Sequence, residues 1–237
     1  MNLKVLSNPT LQHLEEIKKW LQKEDNSSNE GFFCQMDTIE NSFRKNRLIV
    51  IAKDNVAIGF LTFYYSDHIV NIEIAEVKPS ERKRGIGKLL LQDSFGKFIK
   101  DGMLVAQLFC SPASSEKIWK RMGFNNFPDE IIKESRIYLY QILVKTAEFC
   151  THDNETELIE LWDFEDYSNE LPPKWRWEVK RQEKSNKLVK PIIHPCSDKW
   201  SVAHRIRSET REKRIMKYFD MGKHDGGHFL IVTELNK

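Results

Sequence analysis

The chain has few of the features that mark secreted or membrane-spanning proteins. Its 237 residues include only four cysteines, and no two of them form a C-x-x-C pair. Cysteines scattered in this way are typical of a reducing compartment rather than of a disulfide framework. No stretch approaches the roughly 20 apolar residues that span a bilayer, and residues 1–5 do not begin a signal peptide. We therefore expect a soluble, cytoplasmic protein without a membrane partner.

A large charge imbalance, internal repeats and low-complexity segments are also absent. The net charge is +2, from 37 Lys and Arg against 35 Asp and Glu. This balance gives no overall field that would favour nucleic acid or a membrane surface. The apolar fraction of 40% and the charged fraction of 30% are those of an ordinary globular protein. The length is sufficient for one large or two small domains, each with its own core.

Residues 1–145 carry the pattern of a mixed α/β unit. Apolar spacing predicts helices at about 9–21, 35–45, 86–100 and 112–124, and β-rich runs predict strands at 2–6, 48–52, 57–65, 69–77, 103–109 and 137–144. The strands at 48–52 and 57–65 are joined closely enough for a hairpin. This unit is complete without the rest of the chain.

The charge pattern changes abruptly after residue 145. Residues 146–170 contain nine acidic side chains and no Lys or Arg, whereas residues 171–237 contain 16 basic and 8 acidic ones. Four of the six tryptophans lie beyond residue 145, a composition too aromatic for a disordered tail. Strands are predicted at 157–164, 175–181 and 228–235, and 208–219 is predicted as a charged helix or a further strand. We therefore predict two domains, 1–145 with a mixed α/β sheet and 146–237 as a smaller α+β domain.

The clearest functional signal is a basic, glycine-containing turn between a strand and a helix. It consists of Arg82, Lys83, Arg84, Gly85, Ile86, Gly87 and Lys88. The first N–H groups of a helix have no partner within the helix, and the helix dipole makes that end attractive to anions. Gly85 and Gly87 have no Cβ, so a phosphate can approach the main chain closely. The turn predicts a site for a cofactor that carries a pyrophosphate.

Two motifs indicate which family the first part of the chain resembles. Arg82-x-x-Gly85-x-Gly87, preceded on the strand by Val77-x-Pro79, resembles the acyl-CoA signature of the GNAT superfamily of N-acetyltransferases. The segment from Ile118 to Phe124 resembles the second family motif, a helix that ends at Gly-Phe. Neither the G-x-G-x-x-G of a dinucleotide fold nor the Gly-Lys-Ser/Thr of a P-loop is present. The resemblance covers residues 1–145 and none of 146–237.

The resemblance implies an activity and a cosubstrate. An acetyl group would pass directly from acetyl-CoA to a primary amine of an acceptor that the sequence does not identify. The pyrophosphate would lie at residues 82–88, and the pantetheine arm would pair with main-chain groups at Glu76 and Val77. Trp119 is predicted to pack against that arm.

A base is needed because an alkylamine has a pKa near 10 and must lose a proton before it attacks. Glu73 is the first candidate, at a position where some members of the family carry a catalytic acidic residue. Period-2 alternation places it on the same face as Ala75 and Val77. The same alternation places Glu76, the second candidate, on the opposite face. The alternative for each glutamate is a solvent-facing strand residue.

The departing thiolate needs a proton or a hydrogen bond. Many relatives have a tyrosine four residues before the Gly-Phe glycine, but this chain has Trp119, whose indole cannot release a proton at neutral pH. Tyr138 or Tyr140 on the last strand is predicted to take this role, with water or a purely structural position as alternatives. Cys110 raises the alternative of a covalent acyl-enzyme, although direct transfer is the rule in the family.

The role of residues 146–237 stays open. Cys150-x-His152 and His194-x-Cys196 do not have the usual spacing of zinc ligands, so no metal site is predicted. Lys and Arg alternate with Trp175, Trp177, Trp200, Tyr218 and Phe219, which suits single-stranded RNA or a tRNA end. The alternative function is therefore a catalytically weak acyl-CoA-binding protein whose second domain binds RNA, for example aminoacyl-tRNA, or a protein partner. The favoured interpretation is structural, a domain that covers the acceptor cleft or forms a homodimer.

Overall fold

The computed structural model describes residues 2–28, 31–128, 131, 136–151, 157–165, 171–207, 209–215 and 228–235. The chain divides into two compact units. The first comprises Met1–Asn125 and Arg136–Leu143, and the second comprises Asn126–Ser135 and Val144–Lys237. This division differs from the predicted boundary because it assigns residues 126–135 to the second unit. The domains 1–145 and 146–237 stay a prediction about independent folding.

The first unit is built on one mixed sheet. Its strands are β1 (Leu3–Leu6), β2 (Leu48–Lys53), β3 (Val56–Ser66), β4 (Ile69–Val77), β5 (Val105–Phe109), β6 (Asn125–Asn126) and β7 (Tyr138–Ile142). They lie in the order β1-β2-β3-β4-β5-β7-β6. β4 and β5 are parallel, and the pairs β1–β2, β2–β3, β3–β4 and β5–β7 are antiparallel. The mixed α/β fold predicted for this part of the chain is confirmed.

Four helices accompany this sheet: α1 (Leu11–Ser28), α2 (Met36–Arg44), α3 (Ile86–Lys100) and α4 (Glu116–Arg121). α4 is shorter than predicted, and α1 continues past the predicted end to Ser28. No helix in the described part of the chain is long and apolar enough to span a lipid bilayer.

The sheet separates two apolar cores. The α1/α2 core contains Leu14, Ile17, Leu21, Ile39, Leu48, Val50, Phe60 and Ile74. The α3 core on the other face contains Phe63, Val70, Ile72, Leu90, Leu91, Phe98, Leu108 and Leu139. Burying each such side chain contributes about 1.5–3 kcal/mol to folding, so both faces of the central strands are fixed. Val70 and Ile72 of β4 therefore face the α3 core, and Ile74 faces the α1/α2 core.

The second unit consists of antiparallel strands in its described part. These are β8 (Glu157–Leu161), β9 (Trp175–Glu178), β10 (Lys187–Pro195), β11 (Ser201–Ile206), β12 (Glu209–Ile215) and β13 (Phe229–Glu234). They form a four-stranded sheet, β12-β11-β8-β9, and a two-stranded sheet, β10-β13. Of the two alternatives for 208–219, the strand is found over Glu209–Ile215. No helix lies among the described residues of this unit, where an α+β domain was predicted, and β10 and β11 were not predicted.

A buried carboxylate links three strands of the larger sheet in this unit. Oε1 of Glu160 on β8 accepts hydrogen bonds from Nε of Arg176 on β9 at 3.1 Å and from Nε of Arg205 on β11 at 3.3 Å. Glu160 is only 5% exposed, so removing either arginine would leave a buried charge short of a partner. These basic side chains are therefore engaged within the sheet.

Candidate functional site

The turn between β4 and α3 has the main-chain geometry of an anion site. Gly85 is the N-cap residue of α3 and has φ +80° and ψ 0°, in the left-handed region that favours glycine. The helical ladder starts with the bond from the Leu89 N–H to the Gly85 carbonyl at 3.0 Å. The N–H groups of Ile86, Gly87 and Lys88 come before that bond and have no partner within the helix. Within the described chain no side chain caps this end.

The space in front of these N–H groups is open. A Cβ built on Gly85 would meet no atom within 4 Å, and one built on Gly87 would meet Cγ2 of Val77 at 3.7 Å. The side chain of Ile86 is buried in the α3 core, so only its main chain is available to a ligand. A helix start with free N–H groups and room beside them fits a phosphate.

The basic side chains of the turn are engaged to different degrees. Arg84 is paired with Glu81 at 3.1 Å, but its side chain is 57% exposed. Lys83 and Lys88 are exposed and form no ion pair with the described residues. These two lysines are the cations that are most available to an anionic ligand at this turn.

Arg82 is bound within the protein. Its Nη2 lies 2.5 Å from Glu24 Oε1 and 3.0 Å from Glu76 Oε1, and its Nε donates to the Val77 carbonyl at 2.9 Å. Its predicted role at a phosphate stays a prediction. The contacts give it a second role, since they tie the turn to α1 and to the end of β4.

The charge of Arg82 is expected to stabilise the fold. Glu24 is only 7% exposed, and burial raises the pKa of Glu76 while Arg82 opposes that shift. In Arg82→Gln both carboxylates lose their cation, so we expect the free energy of unfolding to fall by about 1–3 kcal/mol at neutral pH. Without Arg82 the pKa of Glu76 rises further. A carboxyl group whose pKa is higher in the folded than in the unfolded state destabilises the fold once the pH is high enough to ionise it. The difference in unfolding free energy between Arg82→Gln and the wild type should therefore shrink below the ordinary glutamate pKa of about 4.3.

Urea unfolding at several pH values measures this difference. Arg84→Gln is the matched control because that arginine is more exposed and pairs with a single carboxylate; its effect should stay within roughly 0.5 kcal/mol. Equal losses in the two variants, or a loss that is independent of pH, would contradict the role assigned to Arg82.

A β-bulge on β4 determines where Glu73 lies. Thr62 pairs with Ile74 and Phe63 pairs with Ile72, so Glu73 is the extra residue on β4. The Ile74 N–H donates to Oγ1 of Thr62 at 3.1 Å, which satisfies a main-chain group that the bulge displaces. Bulges redirect side chains and are frequent next to active sites.

The bulge changes the face on which Glu73 was predicted to lie. Ala75 and Val77 pack against the α3 core, whereas Ile74 belongs to the α1/α2 core and Glu73 lines a cleft together with residues of α2. The prediction that Glu73 shares the face of Ala75 and Val77 is therefore wrong, because one extra residue interrupts the alternation. Glu76 is on the α1 side as well, so the two glutamates do not lie on opposite faces.

The cleft beside Glu73 has a volume of about 420 Å³. Its lining residues are Asp37, Thr38, Asn41, Ser42, Lys45, Arg47, Tyr64 and Glu73. Burial raises the pKa of Glu73, and the charges of Arg47 and then Lys45 oppose that shift. A carboxylate with a raised pKa is a stronger base, as general base catalysis requires.

Several polar side chains lie on the face of the sheet that carries Glu73, at the point where β4 and β5 stop pairing. β4 and β5 are paired from Ile69 to Asn71 on the β4 side; beyond Asn71 the described strands are no longer paired with each other. At that point Nε2 of Gln107 donates to Oδ1 of Asn71 at 2.6 Å. Tyr64 lies opposite Asn71 on β3, and Tyr140 lies opposite Gln107 on β7. Glu73 follows Asn71 by two residues, so it lies beside this polar row.

The two predicted tyrosines are on the face of Glu73. Leu139 between them is fully buried in the α3 core, which places Tyr138 and Tyr140 on the opposite side of β7. Tyr138 packs near Phe109, with ring centroids 6.1 Å apart. Burial raises the pKa of Tyr140, which weakens it as an acid and leaves it able to donate a hydrogen bond. The proton-donor role of both tyrosines stays a prediction.

Trp119 and Cys110 both contact the α3 core. The ring of Trp119 lies 5.3 Å from that of Phe124 in an edge-on arrangement, and its predicted contact with a cofactor arm stays a prediction. Cys110 is 8% exposed, and burial raises the pKa of its thiol. A thiol that stays protonated is a poor nucleophile, so its surroundings favour a packing role over an acyl-enzyme.

The aromatic residues of the second unit pack with one another. Trp175 stacks on Trp200 at 5.4 Å and lies 4.4 Å from His194, and Trp177 is 1% exposed. Burial lowers the pKa of His194 to about 4, so this histidine is neutral at physiological pH. Such a cluster favours a structural role over a platform for RNA bases. His152, Tyr218 and Phe219 lie outside the described residues, and within the described part no three His, Cys, Asp or Glu side chains form a metal cluster.

Several lining residues of the cleft have no signal in the sequence. Asp37, Lys45 and Arg47 come from α2 and the turn after it, and their proximity to β4 depends on the tertiary fold. Gln107 did have a signal, since it is the single polar residue of β5, and Asn71 stands between two apolar residues of β4. A polar side chain at such a position needs a hydrogen-bond partner or a ligand.

Part of the chain resembles known proteins. Residues 14–124 match the model of the family described as "Acetyltransferase (GNAT) family", and no curated protein matches the chain. Similar solved structures include PaiA N-acetyltransferase from Thermoplasma acidophilum in complex with coenzyme A (15% identity, 60% of this chain and 99% of that chain, TM-score 0.49). A GNAT-family acetyltransferase from Staphylococcus aureus Mu50 (14%, 60% and 100%, 0.48) and GCN5 from Tetrahymena (15%, 61% and 97%, 0.47) are also similar. The family predicted from the glycine turn is confirmed, and residues 14–124 of the chain form a domain of the acetyltransferase (GNAT) family.

Proposed function

We propose that the chain is an acetyl-CoA-dependent N-acetyltransferase that acetylates a primary amine directly. The observation that carries the proposal is the position of two sites on one strand. The anion site follows the end of β4 at Val77, and Glu73 lies four residues earlier beside the cleft. Four strand residues span about 13 Å, a distance that an extended pantetheine arm between pyrophosphate and thioester covers.

The residues of the turn fit the diphosphate of coenzyme A. The N–H groups of Ile86, Gly87 and Lys88 can donate to phosphate oxygens, and Lys83 supplies further positive charge. The absent side chains of Gly85 and Gly87 leave the room that this requires. Acetyl-CoA supplies an acetyl group that is activated as a thioester.

The end of β4 is where the arm would pair. The Val77 N–H donates to Oε1 of Glu76 at 3.0 Å, and the Val77 carbonyl accepts from Arg82. A pantetheine amide that bound Val77 would take the place of these side-chain contacts. Because the described part of β4 beyond Asn71 has no strand partner on the β5 side, an extended arm has access to it.

The chemistry needs one base and one donor. The acceptor nitrogen attacks the thioester carbonyl, a C–N bond forms, and the C–S bond breaks. Glu73 takes the proton of the amine, either directly or through water. The departing thiolate takes a proton from water or a hydrogen bond from Tyr140 or Tyr138.

The test is turnover of acetyl-CoA by the full chain with a panel of primary amines. Free thiol is measured as the product, and mass spectrometry identifies the acetylated acceptor. We expect thiol release that depends on the amine and matches acetylated product in amount. Coenzyme A binding without turnover of any amine would contradict the proposal and favour a binding protein. Thiol release without acetylated amine would show hydrolysis instead.

A further inference from the structure

We propose that the acceptor is a small amino acid, whose amine lies at Glu73 while its carboxylate binds Arg47 and Lys45. This inference rests on the proposed function and narrows the class of its acceptor. The supporting observation is the cleft beside Glu73, which is lined by both positively and negatively charged side chains.

One face of α2 and the turn after it supply most of the lining. Asp37, Asn41 and Lys45 follow one another at intervals of four residues, which places them along one face of the helix. The main chain of Arg47 is fixed from two sides. Its N–H donates to the Ser42 carbonyl at 2.7 Å, and its carbonyl accepts from the Phe63 N–H at 3.1 Å. The main chain that carries Arg47 is therefore held in place beside the cleft.

The charges around the cleft are not paired with one another. Asp37, Lys45, Arg47 and Glu73 all line it, yet none of them forms an ion pair with any described residue within 4.0 Å. Opposite charges do pair elsewhere between α1 and α2, where Lys18 Nζ lies 3.3 Å from Glu40 Oε1. Two cations and two carboxylates that remain separate around about 420 Å³ are available to a ligand that carries both signs. That volume lies within the usual range of small-molecule sites, about 300–1,000 Å³.

The cations near Glu73 decide against a purely cationic acceptor. The charges of Arg47 and Lys45 oppose the rise in the pKa of Glu73 that burial causes. The same two charges weaken the attraction between this carboxylate and an alkylammonium, so polyamines are disfavoured. An acceptor with a carboxylate next to its amine offsets these positive charges. A planar guanidinium such as that of Arg47 also binds carboxylates with two parallel hydrogen bonds.

The experiment compares amino acids with their carboxamides, which have nearly the same size and lack the negative charge. Initial rates with acetyl-CoA are measured for pairs with acidic, neutral and basic side chains. For the accepted side chain we expect kcat/KM of the free acid to exceed that of the amide by about ten- to a hundredfold, as a charge-assisted pair provides. In Arg47→Gln this ratio should fall close to one, chiefly through a higher KM for the acid.

Arg44→Gln is the matched control. Arg44 is an exposed arginine of α2 whose Nε donates to the Glu40 carbonyl at 3.3 Å, and it does not line the cleft. It should keep the full preference for the acid. Thermal unfolding of each variant verifies the fold, and Lys45→Gln replaces Arg47→Gln if the latter is unstable.

The outcomes separate this inference from the proposed reaction. Equal kcat/KM for acids and amides, or a preference that survives both Arg47→Gln and Lys45→Gln, overturns the acceptor class and leaves the N-acetyltransferase intact. If no amine turns over, calorimetric titration of the same pairs in the presence of coenzyme A decides. Binding of acids alone, lost in Arg47→Gln, supports the acceptor class and contradicts the reaction, whereas no binding of either overturns both.

Discussion

Glu73→Gln is expected to lower kcat by about 10²–10⁴-fold at neutral pH, the usual contribution of a positioned general base. Glutamine has nearly the same shape but cannot take the proton of the amine. Glu73 is the extra residue of a bulge and belongs to neither apolar core, so the fold should be retained. Initial rates over pH 6 to about 10 measure the effect. The variant should recover activity as the pH approaches the amine pKa of about 10, because the neutral amine is then abundant.

The wild-type profile provides a second observable. Activity should rise with pH as Glu73 loses its proton. Because burial raises the pKa of Glu73, this rise should occur at a higher pH than it would for a fully exposed carboxylate. Asp37→Asn is the control, because it removes a negative charge from the same cleft. It should change KM without producing alkaline recovery. A Glu73→Gln variant with wild-type kcat at neutral pH would contradict the assignment of Glu73 as the base.

Gly87→Val is expected to weaken coenzyme A binding by at least about a hundredfold. The new side chain would cover the first-turn N–H groups, and two lost charge-assisted hydrogen bonds account for a loss of this size. The fold should tolerate the change, because the nearest atom to a Cβ at Gly87 is Cγ2 of Val77 at 3.7 Å, an ordinary contact. Valine is also no worse than glycine as a helix former. Calorimetric titration with coenzyme A measures the affinity.

Gly96→Val is the control for this substitution. Gly96 lies in α3 too and is exposed, with no atom within 4 Å of a built Cβ, so coenzyme A affinity should be unchanged. If both valine variants bind equally well, the diphosphate is held elsewhere. Gly85 is a less informative position, because its φ of +80° would strain any other residue. Substituting Arg82 would disturb the ion pairs with Glu24 and Glu76 as well as any ligand.

Much of the first unit could be predicted because its signals are local. The bounds of β4 and the start of α3 follow from a β-rich run and a glycine turn that are adjacent in the chain. The bulge at Glu73 could not be predicted, since it depends on pairing with β3 and on the Thr62 hydroxyl. The structural role of Arg82 could not be predicted either, because its closest partner, Glu24, is 58 residues away in the sequence.

The second unit was harder to predict for a related reason. β10 contains Pro191 and Pro195, and prolines lower the expectation of a strand because they cannot donate to the ladder. In the structure the pairing of β10 with β13 shifts in register between Lys187 and Ile192, so Pro191 lies where the ladder is interrupted. The sequence shows the prolines, but it does not show where the ladder is interrupted.

The extra residue of β4 makes the proposed catalyst separable from the scaffold. Deleting Glu73 would leave Thr62 opposite Ile74 and Phe63 opposite Ile72 in an uninterrupted ladder, with every apolar side chain on its present side. The register of the sheet therefore does not depend on this carboxylate. If Glu73 is the base, one inserted or deleted codon adds or removes the catalytic group and leaves the strand pairing unchanged.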